Sequence, residues 1–207
     1  MSIYNILLNL QNSEIKELIE KRTAEFRENG KKDESGVFNE LCFCLMTANF
    51  NAKKSIEIQE KVGMGFLKLD REELALKLKE LGHRFPNTRA GYIFLARDKI
   101  EELDGIIKSS QKEEEKREWL VKNIKGLGYK EASHFLRNIG FKNLAIIDFH
   151  IVDVLEKNNL IKKPKTLNKK NYFEIENKLK EIGKKANLDM ARLDLYLWYL
   201  ETGKVLK

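Results

Sequence analysis

Proline and cysteine are scarce in this 207-residue chain, which has two residues of each type. With only Pro86 and Pro164 as strong helix breakers, long helical segments are possible. Cys42 and Cys44 lie one residue apart in an apolar stretch and are too few, by themselves, for a zinc or iron–sulfur site. We therefore expect two reduced, buried thiols that act as small apolar side chains.

Long hydrophobic runs are also missing. No window approaches the eighteen or so apolar residues that a membrane-spanning helix needs. The N-terminal residues MSIYNILLNLQ lack the basic start and the small-residue cleavage site of a secretory signal peptide. We expect a cytoplasmic protein without a membrane partner.

Acidic residues are fewer than basic ones: 32 Asp and Glu against 39 Lys and Arg give a formal net charge of +7. Such an excess favours a polyanionic partner, most simply nucleic acid. Many of these charges form Lys/Glu mixtures on predicted helix faces, where solvation alone would account for them. The charge by itself therefore leaves the partner open.

Apolar residues recur at helical spacing along most of the chain, and strand-like alternation is scarce, so we predict an all-α fold. FNELCFCLMTA is apolar on nearly all sides and is predicted to form a buried central helix. In SEIKELIEKRTAEF, one face is predicted to contain Ile15, Leu18, Ile19 and Phe26. The biased segment IKKPKTLNKK is predicted to be a loop.

The most informative pattern is IKGLGYKEASHFLRNIGFKNLAIIDFH, residues 124–150. Gly126 and Gly128 join two predicted helices and expose main-chain N–H groups at the start of the second. Such a turn binds phosphate, because the donors and the helix dipole point at it. An ordinary turn between two helices has the same glycines, so this pattern alone does not establish phosphate binding.

Turning the second helix at 100° per residue separates an apolar face from a polar one. The apolar face contains Ala132, Phe135, Leu136 and Ile139. The polar face contains Lys130, Ser133, His134 and Arg137. We predict that the polar face points outward and presents Lys130 and His134 together.

Lys130 and Asp148 are the candidate chemical groups. An amine is a nucleophile only when neutral, and a helix N-terminus together with a dry pocket disfavours its ammonium form. Asp148 precedes the predicted helix FHIVDVLEK as its N-cap, a position that keeps a carboxylate ionised. Phosphate binding by Lys130 and simple capping by Asp148, which contributes about 1 kcal/mol, remain alternatives.

GLGYKEASHFLRNIG followed by IIDFH resembles the helix–hairpin–helix DNA glycosylase superfamily, and within it the archaeal and bacterial 8-oxoguanine DNA glycosylase/AP lyases. The similarity extends through FNELCFCLMTANFNA, RFPNTRAGYI and LDLYLWYLETGKVLK, covering most of residues 37–207. The combination of lysine and aspartate is specific, whereas the hairpin is not. Lys125 departs from the superfamily, which usually has proline there, and the four-cysteine tail of the endonuclease III branch is missing.

The resemblance implies two helical lobes with a DNA-binding cleft between them. Residues 31–142 form the central lobe, with the helix–hairpin–helix at about 113–140, and residues 1–30 plus 143–207 form the second lobe. It also implies excision of 8-oxoguanine from duplex DNA by a monomer through a Schiff base on Lys130, with Asp148 stabilising the oxocarbenium-like sugar. No cofactor or divalent metal is required, although a monovalent cation at the hairpin is compatible.

The resemblance assigns further residues to contacts with the DNA around the flipped nucleotide. Gly126 and Gly128 bind a phosphate, Asn49 fills the hole left by the flipped nucleotide, and His150 contacts another phosphate. Phe85, with Arg84 beside it, is a wedge against the opposite strand. The structural alternatives are a helix-end cap for Asn49, a core side chain for Phe85 and a satisfied structural histidine for His150.

For the extruded base, His134 is expected to pack on one face and Trp198 to stack on the other. Core packing beside Leu195 and Leu197 is the alternative for Trp198. A free carboxylate at Lys207 would accept the N7–H that 8-oxoguanine has and guanine lacks. Residues appended after Lys207 would then blunt the discrimination between the two bases.

Two other functions use parts of the same pattern. A lyase for another oxidised base or for abasic sites would need the same Lys130. A non-catalytic helix–hairpin–helix module would need only the glycines and the basic residues, and it gives no reason for Lys130 and Asp148 to occur together. Borohydride trapping distinguishes the two functions, because a lyase forms a covalent adduct with DNA and a non-catalytic module does not.

Overall fold

The computed structural model describes residues 2–207, and helices are the only regular secondary structure in that range, as predicted. The helices are α1 Ile3–Gln11, α2 Ile15–Asn29, α3 Glu34–Thr47, α4 Ala52–Val62, α5 Gly65–Lys68, α6 Arg71–Glu80, α7 Pro86–Arg97, α8 Ile100–Lys108, α9 Glu113–Asn123, α10 Tyr129–Asn138, α11 Phe149–Lys157, α12 Lys169–Ala186 and α13 Met190–Thr202. No helix within residues 2–207 is long and apolar enough to cross a membrane.

Short polar side chains define where many of these helices begin. The N-cap side chain accepts a hydrogen bond from a main-chain N–H of the first turn at Asp33, Asn51, Asp70, Asp148, Asn168 and Asp189. Each bond satisfies a donor that has no partner inside the helix. The predicted capping role of Asp148 is therefore confirmed.

Buried apolar side chains form two clusters. The central cluster comes from residues 37–144 and the distal cluster from residues 3–26 and 145–197. Helix α3 forms the middle of the central cluster, since every residue from 40 to 48 is buried. Cys42 and Cys44 are free and fully buried there, as predicted, and burial raises the pKa of the Cys44 thiol well above its usual range.

One buried and two largely buried ion pairs connect residues 31–142 with residues 143–207. They are Arg117–Glu176 at 2.7 Å, Arg137–Asp194 at 2.7 Å and Lys207–Glu40 at 3.0 Å. Removing one partner of such a pair leaves an uncompensated buried charge, which costs about 3–5 kcal/mol. The pairs therefore hold the two clusters, and the cleft between them, in one arrangement.

The prediction that the polar face of α10 points outward is wrong. Ser133, His134 and Arg137 are at most 6% exposed. Arg137 pairs with Asp194 of α13, and Ser133 accepts a hydrogen bond from Arg117 of α9. Polar partners on neighbouring helices cover this face, a situation that helical periodicity cannot distinguish from solvent.

The predicted buried face of α2 is wrong at one residue. Ile19 and Phe26 are buried as predicted, but Leu18 is 52% exposed. Its position, one residue before Ile19, turns it away from the distal cluster.

The turn between α9 and α10 depends on the two hairpin glycines differently. Gly126 has φ +96°, which a residue with a side chain rarely adopts, and a Cβ there would lie 2.3 Å from Cδ2 of Tyr92. Gly128 has φ −94° and is the N-cap of α10. Positive φ is thus needed only at Gly126, while the main-chain N–H of Gly128 donates a hydrogen bond to the Glu131 carboxylate at 3.3 Å.

Candidate active site

A cavity of about 770 Å³ lies where the ends of α3, α10, α11 and α13 meet. Lys130, Asp148, His134, Trp198 and Lys207 all line it. The structure thus brings the two candidate chemical groups and the three candidate base-pocket residues into one space. Its size is within the range of pockets that hold small organic ligands, about 300–1,000 Å³.

Three further candidates, Asn49, Arg84 and His150, line the same cavity. The other three, Phe85, Gly126 and Gly128, are not part of the lining. The glycines belong to the hairpin that precedes Lys130, so they lie on the same side of the cleft but outside the cavity.

Two helix N-termini position the candidate chemical groups. Lys130 is the second residue of α10, and Asp148 caps α11 by accepting a hydrogen bond from the Ile151 main-chain N–H at 3.0 Å. The run Leu144–Ile147 before Asp148 is buried, which anchors the aspartate from behind. Since both helix dipoles have their positive ends here, the site favours an anion between Lys130 and Asp148.

His134 enters the cavity as a neutral imidazole. Burial, with the nearby Arg137 and Lys130 charges, lowers its pKa well below the usual range, and the Lys207 main chain opposes the shift only in part. Its ring meets Phe43 edge-to-face at 5.6 Å. Both ring nitrogens are buried, and neither makes a hydrogen bond of ordinary geometry within residues 2–207.

Trp198 contacts His150 rather than only the core. The two rings meet edge-to-face with centroids 4.9 Å apart, and His150 itself is exposed. The indole Nε1–H is buried and has no hydrogen-bond partner in the described part of the chain. Buried polar groups are rarely left unpaired, so this N–H is a candidate donor to a ligand.

Lys207 is held by residues that the sequence patterns did not single out. Its Nζ lies 3.0 Å from Glu40 Oε1, donates also to Gln59 Oε1, and sits 4.4 Å from the centre of the Phe43 ring. Glu40 is 4% exposed and directly precedes the apolar residues 41–46 of α3. A single carboxylate inside the run NELCFCLM was the available signal, because a buried charge requires a partner.

Arg84, Phe85 and Asn49 occupy the rim beside α3 and α7. The Arg84 guanidinium lies 4.9 Å from the centre of the Phe85 ring, and Phe85 is only partly buried. Asn49 is exposed with φ +57°, and Ala48 rather than Asn49 is the C-cap of α3. A pure core role for Phe85 does not fit the structure, whereas the left-handed conformation of Asn49 directly after the C-cap fits its alternative role at the end of α3.

Two more cavity-lining residues were not predicted. Asp194 pairs with Arg137, and burial raises the pKa of its carboxyl to about 6 although Arg137 opposes the shift. Phe149, the residue after Asp148, is 69% exposed and lines the cavity as well. Helical periodicity gave no signal for either, since both depend on the junction between distant segments.

No group of three or more His, Cys, Asp or Glu side chains suited to a metal ion occurs in residues 2–207. The lining instead combines an amine, carboxylates, a neutral imidazole and an indole. These groups suit nucleophilic and acid–base chemistry on an organic ligand.

Comparisons with known proteins agree with this chemistry. A family model described as 8-oxoguanine DNA glycosylase matches residues 19–188. A relative named 8-oxoguanine DNA glycosylase/AP lyase from Methanocaldococcus jannaschii is 53% identical over 208 residues, with both chains covered completely. The protein of that name from Korarchaeum cryptofilum is 53% identical over 99% of this chain and 98% of its own.

Solved structures give the same result. The M. jannaschii 8-oxoguanine glycosylase/lyase in complex with a 15mer DNA containing 8-oxoguanine superimposes with a TM-score of 0.96 at 52% identity, and both chains are covered fully. The 8-oxoguanine DNA glycosylase of Thermotoga maritima gives a TM-score of 0.92 at 41% identity, covering 99% of this chain and 98% of that one. The chain belongs to the 8-oxoguanine DNA glycosylase family.

Proposed function

We propose that this protein excises 8-oxoguanine from duplex DNA and then cleaves the strand at the resulting abasic site. One observation carries the proposal: Lys130 and Asp148 line a single cavity of about 770 Å³, at the N-termini of two helices. Relatives that match the whole chain have the name of this bifunctional activity.

The chemistry follows from the two groups. The neutral amine of Lys130 attacks C1′, the N-glycosidic bond breaks, and the base leaves with the bonding electrons and takes up a proton. The nitrogen bound to C1′ then loses a proton, and its lone pair breaks the C1′–O4′ bond, which gives a protonated Schiff base while O4′ takes up a proton. Removal of a proton from C2′ expels the 3′ phosphate. Asp148 stabilises the positive charge that develops on the sugar in the first step.

The base pocket uses the remaining lining groups. The nucleotide must leave the helical stack before Lys130 can reach C1′, and aromatic surfaces compensate for the lost stacking. In this proposal His134 packs on one face of the extruded purine and Trp198 stacks on the other. Lys207, held by Glu40, closes the same pocket.

Other residues act on the DNA backbone and the gap in the duplex. The hairpin with Gly126 and Gly128 and the exposed His150 contact phosphates, which position the duplex without reading sequence. Asn49 occupies the vacated position in the stack. Phe85 with Arg84 separates the opposite strand.

The proposal needs no cofactor and no divalent metal, because Lys130 supplies the electron sink. A monovalent cation at the hairpin is compatible with it. A monomer suffices, since every proposed group comes from one chain. The protein would meet its substrate at the nucleoid of a prokaryotic cell.

Asp148→Asn provides a direct test with duplexes that contain 8-oxoguanine opposite each normal base. The variant keeps a side-chain oxygen for the helix cap, so we expect base release to slow far more than DNA binding weakens. Equal losses of binding and base release would show that Asp148 acts only as a cap. Excision of another oxidised base in preference to 8-oxoguanine would instead favour the alternative substrate.

A further inference from the structure

The positive charge of the chain is concentrated in residues 157–170, which we name the lysine segment. It contains six lysines and no acidic residue, whereas the rest of the chain has 33 basic and 32 acidic residues. The formal net charge of +7 is therefore carried almost entirely by fourteen residues. Elsewhere, acidic residues nearly balance the basic ones.

The lysine segment starts at the last residue of α11, crosses the connection and ends in the first turn of α12. All six lysines are exposed. Lys162 and Lys165 form no ion pair within residues 2–207, and Lys170 comes only within 3.9 Å of Glu174. Lys157, Lys163 and Lys169 also pair with carboxylates outside the segment, so within residues 2–207 only Lys162 and Lys165 of the six have no carboxylate partner.

The lysine segment lies beside both the cavity and the hairpin of the proposed DNA site. Leu167 lines the same cavity as Lys130 and Asp148. The Nζ of Lys169 lies 5.2 Å from the ring centre of Tyr129, the residue directly after the hairpin glycine Gly128. The lysine segment therefore connects the cavity with the hairpin.

We propose that the lysine segment is an additional contact for the backbone of duplex DNA, beyond the nucleotide bound in the cavity. The inference rests on the proposed function in one respect, namely that a duplex passes the cavity. Duplex DNA carries one charge per about 1.7 Å of helix axis, so several phosphates come within reach of adjacent ammonium groups. Lysine binds phosphate as a flexible point charge, without sequence preference.

Continuity with the cavity selects duplex DNA over other polyanions. A separate acidic protein or RNA would need its own recognition surface, whereas a duplex with one nucleotide in the cavity runs past Leu167 and the hairpin. Binding here releases condensed counterions and makes affinity strongly salt-dependent. The segment would hold undamaged DNA as firmly as damaged DNA, as a search along the duplex requires.

The test compares two variants of equal charge. Lys162→Gln with Lys165→Gln changes the lysine segment, and Lys184→Gln with Lys185→Gln changes the other end of α12. Both remove two positive charges, and α12 has 18 residues, which places its ends about 25 Å apart. Binding to a labelled undamaged duplex is measured by fluorescence anisotropy over a series of salt concentrations.

The segment variant should reduce the slope of log K against log salt by about 1.8, roughly 0.9 per lost phosphate contact. The control variant should have the same slope as the wild type. An equal change of slope in both variants would assign the effect to overall charge. An unchanged slope in both variants would refute the proposed DNA contact. A larger loss on single-stranded RNA than on duplex DNA would also overturn the inference.

Borohydride trapping on lesion-containing duplex reports separately on the proposed function. If the wild type forms no adduct while the segment variant still loses salt dependence, the DNA contact stands and the lyase assignment fails. If the adduct forms and the slopes are identical, the lyase assignment stands and the segment contact fails.

Discussion

Glu40 and Lys207 are 167 positions apart in the sequence, and their side chains meet at 3.0 Å inside the protein. Glu40 lies on α3, in the middle of the central cluster, and its carboxylate is 4% exposed. Gln59 and the Phe43 ring complete the socket for the Lys207 ammonium. The wall of the proposed base pocket is therefore attached to the buried part of α3.

Glu40→Gln should loosen Lys207 without altering Lys130 or Asp148. We expect the preference for 8-oxoguanine over guanine, measured as a ratio of single-turnover excision rates, to fall about tenfold, equivalent to about 1.4 kcal/mol. Strand cleavage at a preformed abasic site should change much less. Glu102→Gln, at an exposed pair with Lys99, is the control and should leave the ratio unchanged. An unchanged ratio in Glu40→Gln would mean that Lys207 does not contribute to base choice.

Gly126→Ala should destabilise the hairpin. Alanine is strained at φ +96°, and its Cβ would lie 2.3 Å from the Tyr92 ring, so we expect a loss of about 2 kcal/mol in the free energy of unfolding. Gly105→Ala on α8 is the control, because a Cβ there meets nothing within 4 Å. It should stabilise by about 0.5–1 kcal/mol in urea unfolding. Similar values for both substitutions would refute the role of the turn conformation.

The Arg117–Glu176 ion pair should stabilise the junction between the two lobes. Glu176 accepts two hydrogen bonds from Arg117, at 2.7 and 2.9 Å, and both side chains are at most 3% exposed. Glu176→Gln should therefore cost about 3 kcal/mol in unfolding free energy. Glu28→Gln, at an exposed pair with Lys31, should cost less than about 0.5 kcal/mol. Equal effects of the two substitutions would mean that burial of the junction pair is unimportant.

Asp194 should make stability depend on pH. Burial raises its pKa from 3.8 to about 6, so the folded state binds more protons than the unfolded state between these values. Stability from this group is present below pH 4 and is lost as pH rises to about 6. The wild type should lose about 3 kcal/mol relative to Asp194→Asn across this window. A difference that is constant from pH 4 to pH 7 would contradict the shifted pKa.

Local features of the fold could be predicted from the sequence because they depend on neighbouring residues. The apolar run around Cys42 indicated a buried helix, and Asp148 before an amphipathic segment indicated a cap; the structure confirms both. The outward direction predicted for Arg137 was wrong, because helical periodicity separates polar from apolar side chains but does not show what covers the polar face.

The sequence pattern singled out Lys130 and Asp148, which line one cavity in the structure, and their chemical roles stay predictions. Glu40, Gln59 and Asp194 were missed, since their positions beside the cavity arise only when segments far apart in the chain come together. Among the missed residues, only the isolated carboxylate of Glu40 beside an apolar run was visible in advance.

Borohydride reduction during reaction with a duplex containing 8-oxoguanine tests the central claim most directly. If the amine of Lys130 forms the Schiff base, the wild-type protein will be trapped as a covalent protein–DNA adduct. Lys130→Gln will form none while still binding the duplex, and peptide mapping will place the link at residue 130. An adduct of undiminished yield in Lys130→Gln, or none in the wild type, would contradict this account.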